Sequence, residues 1–433
     1  MTGDGRHLQP VTRIAGRLQV PGDKSISHRA LIIASVARGT SRLAGLNPGD
    51  DVAATRSALE RLGARIGNHG DAVVVEGSGF EGLDARDGAT RHIDCGNSGT
   101  TARLLLGLLA GRRADVELTG DESLSRRPMG RVAEPLREMG AAIDGGERLP
   151  LRVRGRPLRG ADLSTGGPSA QVKGALLLAA LQAHGSSRIA EPRRTRDHTE
   201  RLLAAAGARI EPDGRGGTSW TVTGGALRLR PLELSVPGDP SCAAPLVALA
   251  CAIPGSRLSV EDVSLNPSRL GFFELLRRMG ADVEWTASGE GVEPRGRLEV
   301  RGRPLEGIEV REDDVSAAID EVPLLAVVAS VARGRTVIGG AAELRVKESD
   351  RIAATASLLR AFGATCEERA EGLVVEGGGR LAPASVDAQG DHRMAMCAAV
   401  AAALATEPTV LTGHACVRVS YPGFFEDLER LSA

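Results

Sequence analysis

Five stretches of the chain end in the same way, with an amphipathic run, a glycine, an alanine and a step toward β-branched residues. They read LERLGARI (59–66), LREMGAAI (136–143), LLAAAGARI (202–210), LLRRMGADV (275–283) and LLRAFGATC (358–366). This pattern predicts a helix stopped at a C-terminal glycine and followed by a strand. The glycines are Gly63, Gly140, Gly207, Gly280 and Gly363. They recur about every 75 residues, so a chain of this length holds about six such units, the last ending near Leu428–Leu431 without its strand.

A second likeness sits one level higher. VPGDKSISHRALIIASVA (20–37) resembles VPGDPSCAAPLVALACAI (236–253), and about half the chain lies between them. Both put Pro-Gly-Asp ahead of an apolar, helix-like run. The pattern predicts two halves of three α/β units each, with the chain switching between them near Pro21–Gly22 and Pro237–Gly238, where Pro and Gly restrict or free the backbone. The first domain is expected at 23–238 and the second at 1–22 plus 239–433. A doubly wound dinucleotide fold is the rival architecture, but no GxGxxG follows a strand and no GxxxxGK[ST] occurs.

Composition narrows the class. The 433 residues, 42% apolar and 25% charged, suit a two-domain globular protein. A net charge of −1 argues against a general nucleic-acid binder or a polybasic membrane binder, so an anion site must be a local concentration of cations. The polar start MTGDGRHLQP carries no apolar signal region, and runs such as Met394 to Ala405 are too short to span a bilayer. Cys95, Cys242, Cys251, Cys366, Cys397 and Cys416 form no CxxC pair and no metal-ligand spacing; free thiols in a reducing cytoplasm are expected. Of 54 basic residues only Lys24, Lys173 and Lys347 are lysines. An ammonium is compact and its pKa shifts readily, whereas a guanidinium stays charged. Each lysine is therefore expected to have a chemical reason.

Polar turns that open apolar helices recur through both halves, and all three lysines are expected in them. Gly22 to Arg29 places Lys24, Ser25, Ser27 and Arg29 at a helix start, where free N–H groups and the helix dipole favour anions. Asp94 to Arg103 is a small-residue turn before LLLGLLAG, where Gly99 lets a ligand approach the backbone. Arg126 and Arg127 precede Pro128 at another expected helix start and suit bidentate capture of carboxylate or phosphate. Ser169 to Lys173 and Arg196 to Glu200 repeat the theme. In the second half, Arg345 to Arg351 and Asp391 to Met396 combine charge with abruptly apolar sequence, and Asp320 and Glu321 interrupt an apolar stretch. Carboxylates beside cations are candidates for acid–base work or for a structural ion-pair network. If the two halves face each other, these starts can converge on a cleft suited to polyanionic substrates.

GDKSISHR, GNSGTTAR, RRPMG, SAQVK, RDHTE, NPSR (266–269), IDEVP, RVKESDR and DHRMAM, taken in order, resemble the EPSP synthase family of enolpyruvyl transferases from about residue 20 to residue 425. The resemblance implies an α/β fold of two similar domains, each of three βαβαββ-type repeats (an inside-out α/β barrel), with the site in the cleft between them. It implies transfer of the enolpyruvyl group of phosphoenolpyruvate to the 5-hydroxyl of shikimate 3-phosphate, in the shikimate pathway to aromatic amino acids. Lys24, Ser25, Arg29, Ser169, Ala170, Gln171, Arg196, Asp320 and Lys347 would hold shikimate 3-phosphate. Lys24, Gly99, Arg127, Gln171, Arg351 and Arg393 would hold phosphoenolpyruvate. Asp320 would be the base, with Glu348 and Lys24 as proton-transfer groups. The resemblance implies no cofactor, no metal, no nucleic-acid or membrane partner, and a monomer in the cytoplasm.

Two features depart from the family or its tolerant subclass. Val419 stands where many members carry a lysine, and Gly99 where some glyphosate-tolerant members carry Ala. The alternatives are the sister enzyme acting on UDP-N-acetylglucosamine, whose reactive loop cysteine is absent from Asp121 to Arg131, and a non-catalytic anion-binding clamshell protein.

Overall fold

The computed structural model describes residues 5–84, 90–213, 217–225, 228–289 and 291–433, so the first four residues of the polar N-terminal segment lie outside the described residues. The chain divides into two compact units, Lys24–Val236 and Met1–Asp23 with Pro237–Ala433.

In the Lys24–Val236 unit one motif is built three times. Its middle copy is the clearest: strand Arg91–Asp94, helix Gly99–Leu109, strand Asp115–Thr119, helix Gly130–Glu138, then the hairpin Ala142–Asp144 and Leu151–Arg154. The first two strands pair in parallel, and the fourth lies antiparallel between the second and the third. The third copy repeats this order from Asp162 to Thr223. The first copy begins at helix Lys24–Val36, and its opening strand comes from the end of the unit: Glu233–Ser235 pairs in parallel with Arg42 to Ala44. The predicted glycine stops hold; Gly63 and Gly140 adopt φ of 102° and 101°, a conformation that costs a residue with Cβ.

The unit that includes the C-terminus repeats the motif, again with one borrowed strand. Ala15–Leu18 supplies the opening strand for Arg257–Ser264. The final copy corrects the expectation that its strand is missing. Helix Phe424–Leu431 is followed by no hairpin, but the N-terminal strand Arg6–Leu8 pairs antiparallel with Thr409–Thr412, in the place a fourth strand would take. Residues separated by about the whole chain thus complete one sheet.

Each motif has one buried helix and one peripheral helix. Helix Val322–Val331 is apolar all round, and every residue through Ser330 is buried. Each fully buried Leu or Val contributes roughly 1.5–3 kcal/mol. The peripheral helices Gly271–Arg278 and Phe424–Leu431 bury only their Phe and Leu stripe. In the Lys24–Val236 unit the buried helices Gly99–Leu109 and Ala170–Ala180 approach backbone to backbone. A Cβ on Gly107 would lie 2.0 Å from the Ala175 carbonyl oxygen. This close crossing sets the two helix starts side by side.

Candidate functional site

In the Lys24–Val236 unit several cations lie at or near helix starts. Lys24 and Ser25 open helix Lys24–Val36. The Lys24 ammonium lies 2.7 Å from Asp51, at the start of helix Asp50–Arg61. Arg29, one turn on, is buried. Its guanidinium donates to the Thr199 hydroxyl at 2.6 Å, the Ser25 carbonyl at 2.9 Å and the Ala170 carbonyl at 3.0 Å. It thereby joins the starts of helices Lys24–Val36, Ala170–Ala180 and His198–Ala205. Ser169 caps the second of these by accepting from the Val172 N–H. Gln171 donates to the Thr100 hydroxyl at 2.9 Å and accepts from Arg103 at 2.6 Å; Arg103 also donates to the Pro128 carbonyl at 3.0 Å. Gly99 is the first residue of its helix, with Ser98 as cap, and a Cβ there would lie 2.8 Å from an Arg103 nitrogen and 3.3 Å from an Arg127 nitrogen. Arg127, buried, donates to Asn97 at 2.7 Å and to Ser123.

A buried chain, His28 to Thr55 to Thr101 to Ser98, ties three helix starts behind these groups with contacts of 2.6, 2.6 and 2.7 Å. Burial, with Lys24 and Arg29 nearby, holds His28 well below its ordinary pKa, so it packs as a neutral ring.

Two expectations need correction here. Arg126 and Arg127 do not act as a pair: Arg126 ends a short helix and pairs with the exposed Glu122, while Arg127 turns inward. Lys173 is not in a polar turn. It is the fourth residue of helix Ala170–Ala180, fully buried, with its ammonium 2.9 Å from Glu191 and 2.8 Å from Glu200.

The other unit brings together Asp320, Glu348, Arg351 and Arg393, and Lys347 lies in the same field. Here the cations meet carboxylates. Arg351, only 1% exposed, sits at the first position of helix Arg351–Ala361. It lies 2.8 Å from Asp391, 2.7 Å from Glu348 and 3.5 Å from Asp320. Arg393, in the first turn of helix His392–Ala403, lies 3.5 Å from Asp320 and 3.1 Å from Glu321. Glu321 also accepts from the Ser241 hydroxyl at 2.5 Å. Asp391 caps its helix by accepting from the Arg393 N–H at 2.9 Å, and takes the Ser349 hydroxyl at 2.9 Å. Burial opposes its charge, but Arg351 outweighs burial and holds Asp391 below the ordinary carboxylate range. Lys347 caps the short helix ahead of Arg351. Loss of water lowers its pKa, with Asp320 opposing and Arg351 adding to the fall. The two carboxylates noticed at 320–321 are thus neither free nor solvated: Asp320 is shared by two guanidiniums, and Glu321 is buried.

Arg103, Asp51, Thr199 and Asp391 were not singled out as site groups from the sequence. Asp51 carries a signal that was available, since Asn47-Pro48-Gly49-Asp50-Asp51 repeats the Pro-Gly-Asp helix start. Among the described residues no helix is long and apolar enough to cross a membrane.

Comparison with known proteins gives one family. The model for EPSP synthase (3-phosphoshikimate 1-carboxyvinyltransferase) matches residues 8–428. A 3-phosphoshikimate 1-carboxyvinyltransferase of Geobacter sulfurreducens is 44% identical over 427 residues, covering 98% of each chain. One of a Synechococcus species is 45% identical over 437 residues, covering 99% of each. The solved EPSP synthase of Acinetobacter baumannii superposes with a TM-score of 0.86 at 37% identity, covering 99% of this chain and 98% of that one. The enolpyruvyl transferase NikO of Streptomyces tendae, at 20% identity and a TM-score of 0.79 over 99% of this chain and 98% of its own, shares the fold. The chain belongs to the EPSP synthase family.

Proposed function

We propose that this chain transfers the enolpyruvyl group of phosphoenolpyruvate to the 5-hydroxyl of shikimate 3-phosphate and releases inorganic phosphate. The observation that carries this reading is the agreement between a family match spanning nearly the whole chain and cation clusters at helix starts in both units.

In this reading the 5-hydroxyl oxygen bonds to C2 of phosphoenolpyruvate as its proton passes to Asp320, and C3 gains a proton from Lys24 or Glu348. The tetrahedral adduct then loses its phosphate, and C3 returns a proton to restore the double bond. Lys24, Ser25, Arg29, Ser169, Ala170, Gln171, Arg196, Asp320 and Lys347 hold shikimate 3-phosphate. Lys24, Gly99, Arg127, Gln171, Arg351 and Arg393 hold phosphoenolpyruvate. Helix N-termini and guanidiniums supply fixed positive charge where phosphate charge concentrates. A group placed for proton transfer contributes on the order of 10²–10⁴ in rate. The protein acts as a cytoplasmic monomer.

Purified protein supplied with both substrates should release phosphate, and with either alone should not. Release with UDP-N-acetylglucosamine in place of shikimate 3-phosphate would overturn the substrate assignment. Binding of both anions without any turnover would favour a non-catalytic role. Sedimentation at assay concentration reads the monomer directly.

A further inference from the structure

Lys173 is one of three lysines among 54 basic residues, and its ammonium reaches no solvent. It sits between two carboxylates, Glu191 at 2.9 Å and Glu200 at 2.8 Å, with the Trp220 ring centre 4.2 Å away. Such a buried ion pair is weak support for stability, because desolvation offsets most of the attraction. Its geometry is more informative. Lys173 belongs to the helix that opens with Ala170 and Gln171, and Ser169 is that helix's cap. Glu191 follows the strand Ser186–Ala190 and accepts both the Thr195 N–H, at 3.0 Å, and the Thr195 hydroxyl. Thr195 is bonded to Arg196. Glu200 lies in the first turn of helix His198–Ala205, next to Thr199, which receives Arg29. One ammonium therefore ties together three segments, and each carries a group assigned above to shikimate 3-phosphate or a group that orients one.

We propose that Lys173 is a positioning residue for the shikimate 3-phosphate site: through Glu191 and Thr195 it fixes Arg196, and through Glu200 it fixes the Thr199–Arg29 contact beside Gln171. The proposal rests on the enolpyruvyl-transfer reading. The choice of lysine in a chain that otherwise uses arginine follows from shape. A compact ammonium with rotatable donors fits between two carboxylates under an aromatic face, where a planar fork would push them apart.

Two variants test it. Thr195→Val removes the hydroxyl contact of the bridge from Glu191 to the Arg196 segment, at a partly exposed position, and leaves the Thr195 N–H contact. Lys173→Arg keeps the charge and changes the geometry. Both should raise KM for shikimate 3-phosphate by about tenfold, with KM for phosphoenolpyruvate within about twofold of wild type. Far-ultraviolet circular dichroism and the thermal midpoint read folding separately. If Lys173→Arg does not fold, Thr195→Val alone decides. Unchanged KM for both substrates, or an equal rise in both, overturns the proposal even where the midpoint falls, since a purely structural role does not separate the substrates. A wild-type protein without phosphate release would instead sink the parent reading.

Discussion

The two helix-start clusters use similar cations in opposite settings. In the Lys24–Val236 unit, the contacts of Arg29, Arg103 and Arg127 include hydroxyls, carbonyls and amides. These contacts orient the guanidiniums. In the other unit, Arg351 and Arg393 meet Asp320, Glu321, Glu348 and Asp391. There the guanidiniums fix the carboxylates in place, and Asp391 is held below the ordinary carboxylate range. Lys24, in the Lys24–Val236 unit, also meets a carboxylate, that of Asp51. The same local rule, a polar turn opening an apolar helix, thus sets cations beside hydroxyls and carbonyls in one unit and beside carboxylates in the other.

The comparison can be broken by substitution. Asp320→Asn should cause the largest loss, lowering kcat by about 10²–10⁴ because the shared carboxylate can no longer take a proton. Steady-state phosphate release measures it, and a near-normal kcat would remove Asp320 from the chemistry. Lys24→Arg should come next, with kcat falling on the order of 10² while the charge stays, since a guanidinium does not exchange protons at working pH. Wild-type turnover would reduce Lys24 to a binding cation. Arg127→Ala should act mainly through KM for phosphoenolpyruvate, raising it about tenfold to a hundredfold as one charge-assisted contact is lost, with kcat within a few-fold.

The smallest effect is in pH. The lowered pKa of Lys347 means its ammonium loses its proton below the ordinary lysine value of about 10.4, so KM for shikimate 3-phosphate should rise with pH earlier than an ordinary lysine allows. Lys347→Arg should remove that alkaline limb. The stability sign is opposite. Between the lowered folded pKa and about 10.4 the unfolded chain holds more protons at this residue, so its contribution to stability rises with pH.

Much of this was legible from residues that repeat. Gly63, Gly140, Gly207, Gly280 and Gly363 announced the helix stops, and all adopt positive φ. A second repeated glycine passed unnoticed. Gly77, Gly224, Gly302 and Gly377 follow or close a fourth strand, where a Cβ would lie 1.9–2.3 Å from a carbonyl oxygen at the end of the buried helix. That constraint is steric and leaves no mark on hydrophobic periodicity. The pairing of Arg6 with Leu411 was also illegible, since short polar strands carry no signal for a partner about a chain length away. Lys173 misled for a related reason: its neighbours in sequence suggested a solvated helix start, while the carboxylates that bury it stand 18 and 27 residues on.

The division of labour is tested most directly by titrating shikimate 3-phosphate into Asp320→Asn by calorimetry, beside its turnover. The account predicts a dissociation constant within about tenfold of wild type, with turnover lost, because the remaining groups proposed to hold shikimate 3-phosphate retain the anion. Loss of binding in step with turnover would contradict it.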